Sequence, residues 1–595
     1  MASSLNTKAD LVDDAEDEEI FEDAEDTVRT EGMDLSMSIC DAQTALNLFL
    51  NNKFEEAIRR MAPWSESSMY HSLAHTTLLY MQAMLSFEKP DIDAAIVSTK
   101  KSINLASSLR KKHSMMQSLK QISQKIDYSL YTDVEVHAEL VFAECLLLRA
   151  MLSFVQDENL MSFIKGALKI KTCYQSYKEC QKMVECRNKS NLIGYEHFVS
   201  GVRMGIGTFN LMISQLPNRV LKLLEFVGFS GNRGVGLREL RLGSDNLKSL
   251  RGPLCSLILL TYNTLITYIL GTGEGDIDAC SVIIKPCIEA YPESALFLFF
   301  NGRIEQIKGN IDVGISRFLD SVDSQAEWKQ FHHICYWELM WCYAYQCDWL
   351  LAMKYAERLA EENKWSKATY TYLKASFLAL CDGEESTRKT VDDLYSQVPN
   401  LIQRFAGKSL PIEKFALKKV KLYKAQNNQL NLAALEMIYV WNGFAIIGRD
   451  TKLLDPISQL IENTINELLQ RKDKLQYYYD NYSLALLLKG VCLGIRGQRF
   501  QADMCFQEII AHQKELKFDT YLVPWAVVER ALLHIDMNEL KDAENLLESA
   551  KNNFKGYALE SRLHFKIHAA DKQIQAKKAK LAGAKAEGGC NGGSA

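Results

Sequence analysis

Apolar and polar positions along this chain alternate with the rhythm of paired helices, most plainly near its C-terminal end. Leu486-x3-Gly490-x2-Leu493 leads to Gly497-Gln498, and Ala502-x3-Phe506-x2-Ile509 follows. A small residue at Gly490 lets two helices approach, and an apolar residue three positions on faces the partner helix. A turn former then ends the first helix, and alanine followed by a bulky residue lines the inner face of the second. The same offsets recur in fragments. Ala45, Leu48, Asn52, Ala57 and Met61 fit them, with Pro63-Trp64 closing the hairpin. Later come Leu298, Gly302, Gly309, Gly314 and Phe318, then Tyr336, Met340, Tyr343, Ala352 and Leu359. Ala375, Leu378, Asp382, Val391, Leu394 and Pro399 continue the series, and Ala531, Asn538, Ala543, Leu547 and Ala550 end it.

This spacing is the tetratricopeptide pattern, a helix-turn-helix unit of about 34 residues. It predicts an all-α chain of divergent helical hairpins forming an α-solenoid with two lobes. The expected organisation begins with an acidic, disordered tail over 1–33 and N-terminal hairpins over 34–190. An atypical central helical segment with a glycine-rich loop follows over 191–290, acting as a hinge. Repeat units occupy 291–400, irregular helices 401–480, further repeats 481–570, and a basic, glycine-rich frayed tail 571–595. Stacked units of this kind build binding surfaces.

Composition agrees with long helices: 47% of the 595 residues are hydrophobic and only 10 are proline, a residue that breaks helix interiors. The net charge of −5 gives no reason to expect a nucleic-acid surface. Fifteen cysteines without a CxxC pair, and no secretory leader, point to a reduced, cytoplasmic setting. Residues 10–31 carry twelve acidic residues and one basic residue, Arg29, a density that prevents collapse. Ile20-Phe21 within it is a candidate docking element. Basic stretches at 100–125 and 165–189 read as solvated helix faces, with acidic partners or anionic lipid headgroups as the alternative and the acidic tail as one candidate occupant.

The acidic run Asp17–Ala24, the segment Ala45-Leu46-Asn47-Leu48-Phe49-Leu50-Asn51-Asn52-Lys53-Phe54, and Gly228-Phe229-Ser230-Gly231-Asn232-Arg233 carry a further signal. With the C-terminal repeats, they make the chain resemble the tetratricopeptide repeat 39 family, related to a fungal inclusion-body clearance protein, over roughly 17–570. The resemblance implies an all-helical, non-enzymatic scaffold or adaptor for protein or peptide partners, with a theme of protein turnover and quality control. It supplies no catalytic residues and no cofactor.

One local constellation stands out. Trp337, Trp341 and Tyr345 fall on one stripe of a helix whose other face holds Tyr336, Leu339, Met340 and Tyr343. The concave offset of the next unit is Tyr372. A helix apolar on all sides must be covered on all sides. The cover is either a partner's apolar helix or peptide, in which case these four residues bind it, or another part of this chain, which is the favoured reading. A clamp for a peptide carboxylate needs Lys and Asn at such offsets. Here they are Phe299 and Arg303, Trp337 and Trp341, and Leu487 and Val491, and only Arg303 suits a carboxylate. Residues 252–273 carry no charge and approach the length of a membrane span. Ser256, Thr261, Asn263, Thr264 and Thr267 dilute them, so a core helix is favoured. Membrane association, for example on the cytosolic face of the mitochondrial outer membrane, is the alternative localisation. Gly231-x2-Gly234-x-Gly236, around Arg233 and Arg238, has the wrong order for a dinucleotide fingerprint and reads as a loop joining two helical halves, with contact to an anion such as phosphate as the minor alternative. His71/His75, His564/His568, His332-His333-x-Cys335 and Cys342/Cys347 lack the companions of a metal site and read as packing. No elbow, P-loop or kinase motif set is present.

Overall fold

The structure, a computed structural model, describes residues 33–86, 88–111, 127–156, 160–189, 191–216, 231–381, 385–403 and 409–588. The acidic run through Ile20-Phe21, most of the 100–125 basic stretch and Gly228-Phe229-Ser230 lie outside them. Every regular element among the described residues is helical, and successive helices pair as antiparallel hairpins.

The hairpins rest on one recurring contact, a small residue on the first helix opposite a large one sixteen positions later. A Cβ added at Gly490 would lie 2.5 Å from the Phe506 ring, and one at Gly302 2.9 Å from Phe318. Five hairpin turns share one closure. Asn52, Gly309, Cys347, Gly497 and Asn538 all adopt positive φ. The next residue's N–H reaches back five positions each time, as in Asn310 N–H to Glu305 O and Gln498 N–H to Leu493 O, both 2.9 Å. This is a Schellman closure, which satisfies carbonyls that a helix end would otherwise leave bare. Glycine and asparagine suit it. Cys347, at φ 60°, is the departure.

The order of packing is not the order of the chain. The first hairpin, Leu35–Leu50 and Phe54–Met61, docks against the 291–331 region. Phe54 stacks on Trp328 at 4.6 Å and on Phe331 at 5.2 Å. Asn52 clamps the junction, accepting from Ala295 N–H at 2.9 Å and donating to Glu293 O at 2.7 Å. Through this contact the first hairpin joins a hydrophobic cluster that extends from Ala45 to Ile574. A second cluster, including Ile39, Tyr70, Val141, Tyr177 and Phe198, fills the N-terminal part.

In the central segment, the described part of the glycine-rich stretch is packed helix rather than the expected loop. Gly234, Gly236 and Gly243 sit inside the helix Arg233–Ser244. A Cβ at Gly236 would come within 2.9 Å of Gly207 O and Leu211 N, so glycine there allows a backbone-to-backbone helix crossing. Buried Arg251 ties this segment to the N-terminal helices by a bidentate pair with Glu144, at 2.7 and 3.0 Å. The uncharged run forms the helix Gly252–Thr261 and a π turn over Tyr262–Ile266. Its span Gly252–Ile269 is apolar enough to cross a membrane, yet 67% of it is buried inside the fold. The tail expected to fray over 571–595 also differs as far as Gly588, and 589–595 lie outside the described residues. The last helix runs from Glu560 to Gly588, because Lys572, Gln573, Lys577 and Lys578 find partners at Ser214, Thr272, Ile535 and Glu544.

At Gly497 an added Cβ would touch nothing within 4 Å, so Gly497→Ala tests backbone conformation alone. It is expected to lower stability by about 1 kcal/mol, read as a shift in the urea midpoint. Cys347→Gly, at the equivalent turn, should hold or raise the midpoint.

Candidate partner-binding surface

The aromatic stripe lies on the helix Lys329–Tyr345, and the chain itself covers it. Trp337 is partly buried, while Trp341, Tyr345 and Tyr372 are buried. Trp441 meets Trp337 edge-on at 5.0 Å, and Tyr370 and Trp365 flank it at 5.9 and 6.5 Å. A Cβ on Gly443 would sit 2.8 Å from the Tyr345 ring, so that glycine lets the turn lie flat on the tyrosine. Tyr372 packs on Tyr395 at 5.5 Å. The four residues named as partner-binding therefore do not present an open groove. The physical reason is that the 433–447 segment fills it.

That segment had its own signal. Ala433–Val440 reads AALEMIYV, and all eight residues are buried. A short helix with no polar face belongs inside something. Positive φ at Asn427, Asn428, Leu432 and Asn442 turns the chain into and out of the concave side. The irregularity of 401–480, legible in the sequence, is the signature of a plug rather than of failed repeats.

A buried charge cluster fixes the plug. Lys419 Nζ lies 2.9 Å from Glu436 on the plug and 2.6 Å from Asp519 on the C-terminal side. Tyr521 donates its hydroxyl proton to Glu436 at 2.6 Å. Asp480 holds the Asp519 loop by accepting from the backbone N–H groups of Lys517, Phe518 and Asp519. Burial pushes the Glu436 carboxyl above the usual carboxylate range, against the pull of Lys419. Two carboxylates sharing one ammonium at this depth hold together only while all three remain. Arg562 on the last helix lies over Trp441 at 4.3 Å, closing the plug from outside.

The other candidates resolve into local partners. Arg303, the one residue fit to grip a carboxylate, is buried and pairs with Glu338 at 2.9 Å and with Thr264 O at 3.1 Å. His71 lies between Ser68 and Asp41 at 2.8 and 2.9 Å. His332 faces Gln325 O at 2.8 Å, and His333 and His564 face Glu362 and Glu560, both at 3.6 Å. Burial pushes the Cys335 thiol up to about 12, the behaviour of a packing residue. The basic stretches are partly neutralised, since Arg110 forms a bidentate pair with Glu139 and Lys101 pairs with Glu66. What stays exposed and apolar includes Phe500 and Met504, one turn apart on the helix Arg499–Ala511, and Leu350 at the start of another second helix.

Lys419→Met would leave Glu436 and Asp519 buried without their cation. The expected result is a loss of about 3–5 kcal/mol, with amide exchange rising first in the Ala433–Val440 peptides. Unchanged exchange there would show that the cluster does not hold the plug.

A model of the Iml2/Tetratricopeptide repeat protein 39 family matches residues 43–494. The Caenorhabditis elegans protein described as Tetratricopeptide repeat protein ttc-39B is 39% identical over 546 residues, covering 90% of this chain and 92% of that one. Among solved structures, yeast Tom70 is 12% identical, with 92% of this chain and 96% of that one covered at a TM-score of 0.27. A human IFIT1 dimer with PPP-AAAA is 11% identical, covering 80% and 95%, at a TM-score of 0.28. The family match rests on sequence: the chain belongs to the Iml2/Tetratricopeptide repeat protein 39 family.

Proposed function

We propose that the chain is a non-enzymatic protein-binding scaffold that works from the outer faces of its hairpins rather than from its concave groove. The supporting observation is the exposure of Phe500 and Met504, at 75% and 55%, side by side on one helix face while the concave aromatics are covered. An apolar pair at helical spacing suits the apolar side of a partner helix. The family's repeat architecture supports protein interaction in general. A role in protein turnover or quality control, in the cytoplasm, follows from the family resemblance and is part of this proposal.

Phe500→Glu/Met504→Lys changes only exposed positions, so the variant should fold with an unchanged thermal midpoint. Proximity labelling in cells is expected to lose a subset of the wild-type partners with this variant, whereas Trp337→Ala/Trp341→Ala should act chiefly through stability. An identical partner set for wild type and the outer-face variant would sink the reading.

Membrane insertion is the competing reading, and the burial of Cys255, Leu259, Leu260 and Tyr268 speaks against it. Alkaline carbonate extraction should release the protein completely. Retention in the membrane pellet would instead require 252–273 to leave the core.

A further inference from the structure

Where the last helix crosses the central segment, a small, partly open pocket with an enclosed volume of about 10 Å³ lies between Gln215, Arg233, Tyr262, Glu274, His568 and Lys572. It has room for one small group, and its lining, with Arg233 and Lys572 against Glu274, favours an anion. Arg233 is the first residue of the twelve-residue helix Arg233–Ser244, whose start adds partial positive potential. Its Nε is buried without an acceptor, and the guanidinium stands 5.7 Å from the Tyr262 ring. Lys572 comes from the last helix and donates to Ser214 O. Burial, with Arg233 nearby, lowers its pKa to about 8. The one carboxylate on the wall, Glu274, already accepts from Thr272 N–H at 2.9 Å and Thr272 Oγ1 at 2.5 Å.

His568 is the telling residue. It is only 7% exposed, its Nε2 lies 3.3 Å from Ser214 O, and its Nδ1 is buried with no partner. With Nε2–H donating to that carbonyl, a neutral imidazole leaves Nδ1 as an acceptor. Capping the C-terminal end of the helix Tyr195–Ser214 explains one contact each of Lys572 and His568. It explains neither the bare Arg233 Nε nor the bare His568 Nδ1. A ligand completing both must offer anionic oxygens to the cations and an O–H to the imidazole.

We propose that this cavity binds a phosphate group, with Arg233 and Lys572 meeting its anionic oxygens and His568 Nδ1 accepting its remaining proton. A phosphate near neutral pH carries such a proton, and a sulfate does not. The cavity's narrow interior suits a free phosphate or the terminal group of a lipid headgroup, and not the body of a nucleotide. The site is separate from the outer-face surface at Phe500 and Met504, so the two readings stand or fall independently.

Calorimetric titration of the full chain with inorganic phosphate, and with sulfate as control, tests the site. Phosphate is expected to bind more tightly than sulfate. Arg233→Gln/Lys572→Gln, which keeps a neutral donor toward Ser214 O, should weaken phosphate by about tenfold or more, the effect of removing charge-assisted hydrogen bonds. Circular dichroism checks that the variant is folded, and if it is not, Arg233→Gln alone serves as the comparison. In a second arm, phosphatidylcholine vesicles containing phosphatidic acid are sedimented with the protein. Co-sedimentation that depends on Arg233 and Lys572 supports the site with a lipid source, and phosphate binding without co-sedimentation supports a free one. No binding in either arm, equal affinity for sulfate, or equal affinity in the variant would overturn the proposal.

Discussion

A helix with no polar face has to be enclosed, and that constraint organises the middle of this molecule. Lys329–Tyr345 and Ala433–Val440 are both apolar around most of their circumference. Neither is stable against water, and each provides the other with cover. Trp337 against Trp441 is their meeting point. Once the second helix occupies the concave side, the loops on either side must turn sharply, and the last helix can close over the outside through Arg562. The repeats around this contact are a frame shaped to hold it.

Polar groups follow from that enclosure. A plug that enters a groove carries its backbone and a few charges with it, and buried charges must be met. Lys419, Glu436 and Asp519 come from three separate stretches of chain and pair at 2.6–2.9 Å, although Glu436 Oε2 and Asp519 Oδ1 stay buried without a hydrogen-bond partner. Arg251 with Glu144, and Arg303 with Glu338, do the same elsewhere. Each links elements that are distant in sequence. Such pairs contribute little net stability compared with apolar packing, but breaking one is expensive, so they favour one arrangement of otherwise interchangeable hairpins.

Much of the fold was legible in the sequence because hairpin packing is local. Gly490 with Phe506 and Gly302 with Phe318 lie sixteen residues apart, and the turn residues Asn52, Gly309, Gly497 and Asn538 follow from the left-handed closure. Cys347 was not legible, since nothing about cysteine favours positive φ. The all-round apolar character of 334–346 was plain, but its cover was a question of tertiary contact, about a hundred residues away. The glycines at 234 and 236 looked like a loop because glycine serves loops and close helix crossings alike. Only the position of Gly207 opposite Gly236 separates the two. The glycines around Arg233 hinted at an anion in the sequence, but the pocket itself was not legible, because Arg233, Glu274 and His568 come from three remote segments.

The docking of the first hairpin against Trp328 and Phe331 has a temporal side. On a ribosome elongating at about 5–20 residues per second, Phe49 and Phe54 emerge some tens of seconds before the surface they pack on. During that interval two phenylalanines and the bare side chain of Asn52 wait without their partners. The nascent chain is thus exposed to wrong associations throughout that interval. A protein built this way depends on whatever shelters its first sixty residues while the remainder is made.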